Sequence, residues 1–220
     1  SHPELSSNIV RTLLADSDQN IWIGSFNGLS VFNRETQKLN SVESNENNPY
    51  SLNNNAIRYL FQDNNNTVWV GTYFGGVNIY DPINQRFKHH NYTPDLEVPL
   101  DYNAISAIVE DQNLNLWIGT DRGGLNHYNH DTRRYSYYLP DDKISDAEPM
   151  FTIKSLLQQD EKTLWVGTHR RGLYRFDIPT GKFRRIPLPG SGESGTSLTN
   201  SVINSMHWDS KGYIWLCTRS

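Results

Sequence analysis

With one cysteine, Cys217, in 220 residues, the chain has no internal disulfide to staple a small core and no CxxC pair to hold a metal. A single thiol fits an oxidising or a reducing compartment, so it does not locate the protein. No apolar run is long enough to span a membrane, and no charged stretch followed by an apolar one opens the chain as a leader does. Residues 1–7 read as a boundary, upstream of which a leader can have been removed. Runs of like charge are missing too. The 24 acidic and 20 basic residues are interspersed and leave a net charge of -4, which excludes a basic stripe and makes nucleic acid an unexpected partner of this segment. Helical spacing of apolar residues is also absent, because turn residues interrupt every run of about five to eight.

What is abundant is aromatic, at 12% of residues, and it is periodic. Trp22, Trp69, Trp117, Trp165 and Trp215 recur at intervals of 47 to 50 residues, each in one phrase: IWIGS, VWVGT, LWIGT, LWVGT and IWLCT. A fixed period decides architecture before any motif does. The third copy shows the plan: an apolar run from Ile105 to Val109, a turn through 112–115, the tryptophan strand, a turn at 121–124, a strand from Leu125 to Asn129, a turn through Asp131-Thr132, and a last strand from Arg134 to Tyr138. Four antiparallel strands per period predict an all-β chain of β-propeller blades. Four are complete, at about 8–42, 56–92, 104–139 and 152–188, with half of a fifth at 201–220, so that 1–220 is expected to be part of a longer, seven-bladed propeller.

Stacked blades need apolar residues on both faces of their inner strands, and alternation sends Leu116 and Ile118 one way and Trp117 the other. Gly119 shares the face of Trp117, where its missing side chain is expected to leave room for a neighbouring blade's indole. Asp16, Asp63, Asp111, Asp160 and Asp209 precede their tryptophans by five or six residues. Five copies of one carboxylate suit a scaffold better than a catalytic or calcium site, so the expected role is turn closure worth about 1 kcal/mol each. Asp81 and Asp177 receive the same reading.

Function is expected where the scaffold varies. The loops between the second and third strands carry Phe26-Asn27, Tyr73-Phe74, Asp121-Arg122 and His169-Arg170-Arg171, different in each copy. Aromatic faces stack on sugar rings and arginines grip carboxylate or sulfate, so Tyr73, Phe74, Asp121, Arg122, His169, Arg170 and Arg171 are the candidate ligand-binding residues, against a background in which they are solvated rim. The long blade-to-blade loops at 43–54, 91–102, 139–150 and 187–200 are expected to wall the same face. No catalytic residue, metal set or cofactor motif is found: there is no nucleophile elbow, HExxH or phosphate-cradling glycine loop, and the neighbours His89 and His90 read as strand surface.

The phrase EDQNLNLWIGTDRGGLNHYNHDTRRYSYY resembles the two-component-regulator propeller repeat, and NNPYSLNNNAI and SGTSLTNSVI are similar to its Ser-Leu-Asn lead-in to each blade. The fourth copy departs, with His169-Arg170-Arg171-Gly172 in place of paired glycines and a shorter Asp160 turn. The fifth has Cys217 for glycine, and the first has a shorter loop. The resemblance implies a periplasmic sensor region of a Bacteroides-type hybrid two-component system, in which two propellers precede a membrane span, a histidine kinase and a DNA-binding regulator. It implies an oligosaccharide ligand, contacts with the remaining blades and a second propeller of the same protein, homodimerisation, and no cofactor or catalysis in this segment. Two other classes stay open: a propeller enzyme acting on polysaccharide or antibiotic in the manner of a lyase, and a protein-interaction scaffold.

Overall fold

In the computed structural model of the chain, the described residues are 5–81, 86–90, 100–141, 150–187 and 201–219. The expected walls at 91–102, 139–150 and 187–200 fall largely outside them. The chain divides into two units, 1–105 and 106–220. In the first, β1 (Val10–Ala15), β2 (Ile21–Ser25), β3 (Gly28–Asn33) and β4 (Lys38–Val42) form one antiparallel sheet in chain order. A second sheet follows in β5 (Ile57–Gln62), β6 (Val68–Thr72), β7 (Val77–Asp81) and β8 (Arg86–His90). β9 (Ile105–Glu110) begins at the division. With β10 (Leu116–Thr120), β11 (Gly124–Asn129) and β12 (Arg134–Tyr138) it makes the third sheet. β13 (Ile153–Asp160), β14 (Thr163–Thr168), β15 (Leu173–Asp177) and β16 (Lys182–Ile186) make the fourth, and β17 (Val202–Trp208) pairs with β18 (Ile214–Arg219). The fold is all-β, four four-stranded meanders and a two-stranded sheet, as the period predicts.

The aspartates close the first hairpin of each sheet and also do something the sequence did not reveal. Asp63 accepts the backbone N–H groups of Asn65 (3.0 Å) and Thr67 (2.8 Å) on Oδ1, and the Trp69 indole N–H on Oδ2 at 2.7 Å. Asp16 and Asp209 hold Trp22 and Trp215 in the same way, at 2.8 and 3.0 Å. In the fourth sheet the two tasks fall to different residues, and Asp160 keeps the turn-closing one expected of it. Its turn is one residue shorter, so the residue six before Trp165 is Gln159, and Gln159 Oε1 accepts the indole N–H at 2.9 Å, while Asp160 accepts the Lys162 N–H. In the third, Asp111 accepts the N–H groups of Asn113 and Asn115, both at 2.9 Å, and its other oxygen faces Asn115 Nδ2 and His127. The Trp117 indole N–H is buried without an acceptor among the described residues.

The glycine after each tryptophan makes room for a different partner from the indole expected. A Cβ on Gly24 would lie 2.6 Å from Ile57 Cγ2, one on Gly71 2.8 Å from Ile105 Cγ2, one on Gly119 2.5 Å from Ile153 Cγ2, and one on Gly167 2.8 Å from Ile203 Cγ2. Each isoleucine belongs to the first strand of the following sheet and is fully buried. The indole points to the same face, but the stiff β-branched side chain of the next inner strand takes the glycine hollow. This close approach of inner strands recurs with the period of the sequence. Cys217, which stands at the same position in β18, is exposed.

The core of the second unit is aromatic. Trp117 packs on Phe176 (5.3 Å between ring centroids) and Tyr138 (5.7 Å), Phe176 on Tyr138 (5.1 Å) and Phe183 (4.7 Å), and the His127 imidazole lies 4.2 Å from the Trp117 ring. Burial pushes the pKa of His127 below its ordinary value of 6.5, with Asp111 opposing the shift. The unfolded chain therefore binds a proton near pH 6.5 that the folded chain takes up only at lower pH, and stability falls as pH drops from about 6.5 through the folded pKa. We expect the melting temperature of His127→Phe, which keeps a ring on Trp117, to fall less than that of the parent between about pH 6.5 and 5. Parallel pH profiles would remove His127 as the cause.

Candidate functional site

Inner strands carry a one-residue irregularity near their start. The β1–β2 register shifts between Val10 and Thr12, β5–β6 between Ile57 and Tyr59, β13–β14 between Ile153 and Ser155, and β17–β18 between Ile203 and Ser205. The extra residues are Arg11, Arg58, Lys154 and Asn204. A bulge re-aims the side chain it inserts. Here three of them turn a cation onto the loop between second and third strands: Arg11 lies over the Phe26 ring (4.8 Å), Arg58 over the Tyr73 ring (5.0 Å), and Lys154 pairs with Asp121 at 3.4 Å.

Those loops are short and braced from within. Ser25, Thr72, Thr120 and Thr168 each donate a hydroxyl hydrogen bond to the carbonyl of the glycine that ends the loop, Gly28, Gly76, Gly124 or Gly172. The first loop has two residues and the others three, so the loop tips, not their stems, differ in chemistry. In the first unit Phe26, Tyr73 and Phe74 come together: Phe26 and Tyr73 centroids are 5.8 Å apart and Tyr73 and Phe74 4.7 Å. Phe26 is 42% exposed and Phe74 62%, a large apolar area for loop tips. With Arg11 and Arg58 they form a continuous row of two guanidinium–ring stacks and a third ring.

In the second unit Asp121 is half-buried against Lys154, and Arg122 is exposed in a left-handed conformation, φ 105°, that a non-glycine residue seldom adopts. His169 donates its backbone N–H to Thr152, Arg170 is exposed, and the Arg171 carbonyl accepts Arg185 Nε at 3.1 Å. His89, read as strand surface, bonds the Ser51 carbonyl through Nε2 at 2.8 Å. Sequence reasoning found Tyr73 and Phe74 and missed Arg11 and Arg58. Both stand 13 residues before the glycine of their own copy, Gly24 and Gly71, and an arginine at one repeat position in consecutive copies was the available signal. Among the described residues no three His, Cys, Asp or Glu side chains are grouped to hold a metal, and no helix is long and apolar enough to cross a membrane.

Four-stranded meanders packed through their inner strands define β-propeller blades. Three segments match the family model for the two component regulator propeller, at 4–27, 51–74 and 197–220, and they contain the first two strands of the first, second and last sheets. Among solved structures it is similar to the extracellular domain of a B. thetaiotaomicron protein, described in one structure as a one-component and in another as a hybrid two-component system. The TM-score is 0.75 and the identity 27%, over 99% of this chain and 27% of that one. The extracellular domain of another protein of that bacterium, described as a hybrid two-component system, gives a TM-score of 0.74 at 18% identity, covering 97% of this chain and 33% of its own. PorZ, a surface component of the type-IX secretion system of Porphyromonas gingivalis, gives 0.66 at 16%, covering 96% and 31%. These last two likenesses show the fold alone. The chain thus spans about a quarter to a third of the length of these structures. No curated protein matches it.

Proposed function

We propose that the chain is a ligand-sensing, non-catalytic module in the periplasmic part of a two-component-type sensor, and that its ligand is an acidic oligosaccharide received by Arg11, Phe26, Arg58, Tyr73 and Phe74. The observation that carries this reading is the row of three rings, Phe26 and Phe74 exposed and Tyr73 half-buried, with guanidinium groups over Phe26 and Tyr73. Rings offer their faces to the apolar faces of sugars, and a guanidinium stacked through its own face retains an in-plane N–H fork suited to carboxylate or sulfate. Within the second unit, Asp121, Arg122, His169, Arg170 and Arg171 are proposed as polar ligand contacts of that unit's own loops. The similarity at 27% identity to an extracellular domain of a signalling protein supports the sensor reading. On this proposal the bound state is passed on through further blades and a second propeller of the same protein across a homodimer to a histidine kinase.

Calorimetric titration of the full chain with trigalacturonate tests the site. Tyr73→Ala and Arg58→Ala should each weaken binding by about tenfold or more, with melting temperatures unchanged. Titration curves unaltered by Tyr73→Ala and Arg58→Ala would take these loops out of the site, and turnover of the ligand would replace a sensor with an enzyme.

A further inference from the structure

The first unit contains a second concavity, of about 880 Å³, between its two sheets and apart from the ring row. Part of its lining has counterparts in the second unit. Strand pairing makes Trp22, Tyr80 and Phe87 the counterparts of Trp117, Phe176 and Phe183, and the rings are spaced alike: 5.1 Å for Trp22–Tyr80 against 5.3 Å for Trp117–Phe176. In the second unit two further side chains fill the space over these rings, Tyr138 and His127. Their counterparts are Val42, paired with Leu29 as Tyr138 is with Leu125, and Val31, paired with Trp22 as His127 is with Trp117. Two valines thus stand where the second unit has a phenol and an imidazole, and the smaller side chains leave the cavity open over its aromatic floor. At the same place a hydroxyl appears, since Tyr80 stands where the filled copy has Phe176.

The chemistry of the walls defines what would enter. The floor is Trp22, Tyr80 and Phe87, and the rim among the described residues carries Asp18, Asn40, Ser41 and Glu43 and neither Arg nor Lys. Arg86, the nearby cation, is laid on the Tyr50 ring at 4.4 Å. Burial and the neighbouring charges of Asp81 and Asp16 raise the Tyr80 pKa and keep its hydroxyl a donor. Carboxylates without a facing cation repel uronates and sulfates. Amide and hydroxyl groups both donate and accept, matching sugar hydroxyls, which do the same, whereas an ammonium group would leave their donors unpaired. The volume lies in the usual range for small-molecule clefts, about 300–1,000 Å³.

We propose that this groove is a binding site for a neutral oligosaccharide, with Val42 and Val31 in its wall where the second unit has Tyr138 and His127. It does not depend on the ring row, whose arginines select the opposite charge. The test is calorimetry of the full chain with maltotriose, cellotriose, mannotriose and arabinotriose, alongside trigalacturonate. One of the neutral trisaccharides should bind at a single site. Val42→Tyr, which introduces the filler the protein already uses at Tyr138, should weaken that binding at least about tenfold while leaving the melting temperature and the trigalacturonate titration as they were. Tyr80→Phe, which removes one hydroxyl and copies Phe176, should weaken it about threefold to tenfold and provides the readout if the first variant does not fold. Absence of heat with all four neutral sugars, or neutral-sugar binding unchanged in Val42→Tyr and Tyr80→Phe, would overturn the proposal.

Discussion

Replacing Gly119 by valine should destabilise the chain by about 3 kcal/mol, within a range set by how far the inner strands can part. A Cβ there lies 2.5 Å from Ile153 Cγ2 and 3.1 Å from its Cβ, closer than carbon atoms approach, and Ile153 has no flexible end to withdraw. Both groups are buried in an interior packed to native density, so relief must come from moving one strand off its neighbour. Gly119→Ala should cost less than valine but still more than a typical surface change. If the Gly–Ile approach is the cause, Gly119→Ala and Ile153→Ala combined should cost at least about 1 kcal/mol less than the sum of the two. Cys217→Ala, at the corresponding but exposed position, serves as the control and should stay within about 0.5 kcal/mol of the parent. Urea unfolding of these five variants decides the matter. Additive costs would mean that the hollow is incidental to stability.

The second large effect is expected at Asp63. Its side chain is buried, its indole partner Trp69 is buried, and it satisfies three N–H donors at 2.7 to 3.0 Å. Asp63→Ala orphans all three. Each hydrogen bond to a charged acceptor contributes about 1.5–3 kcal/mol, and with partial rescue by water at the turn the net cost should be about 4 kcal/mol. Asp63→Asn should fall between, because one amide oxygen cannot serve both the backbone and the indole and its NH₂ adds a donor beside another donor. Asp209 makes the same set of bonds to Lys211, Tyr213 and Trp215, and those bonds hold its carboxyl below the usual range, yet Trp215 is 66% exposed and water can replace them. Asp209→Ala should therefore cost far less. Equal losses at Asp63 and Asp209 in melting experiments would show that the turn alone, and not the buried indole bond, sets the energy.

The gap between the 1 kcal/mol expected from turn closure and the larger figure at Asp63 shows what the sequence can and cannot carry. Period, strand order and turn positions follow from local pattern, because Trp, Gly and Asp recur at fixed offsets and alternation is a property of neighbours in the chain. That an aspartate reaches an indole six residues away depends on hairpin geometry, and the shift of that task from Asp160 to Gln159 depends on a single deleted turn residue. The glycine hollow was recognised and its occupant mistaken, since which side chain of the following sheet enters it is fixed by inter-sheet packing. At the ring row, Tyr73 and Phe74 stood out as variable loop residues, but Arg11 and Arg58 reach them through strand bulges, and a bulge has no signature in this sequence. The valine-lined groove was invisible for a further reason. Its lining is gathered from both sheets, and the part the valines play shows only when strand register pairs Val42 with Leu29 as Tyr138 is paired with Leu125.

The most direct test of the claim that the ring row receives an acidic oligosaccharide is amide hydrogen exchange of the full chain with and without trigalacturonate. The account predicts slowed exchange centred on 25–28 and 72–76 and on the bulged starts of β1 and β5, lost in Tyr73→Ala. Protection confined to other segments, or identical exchange with and without the sugar at concentrations that give calorimetric heat, would contradict it.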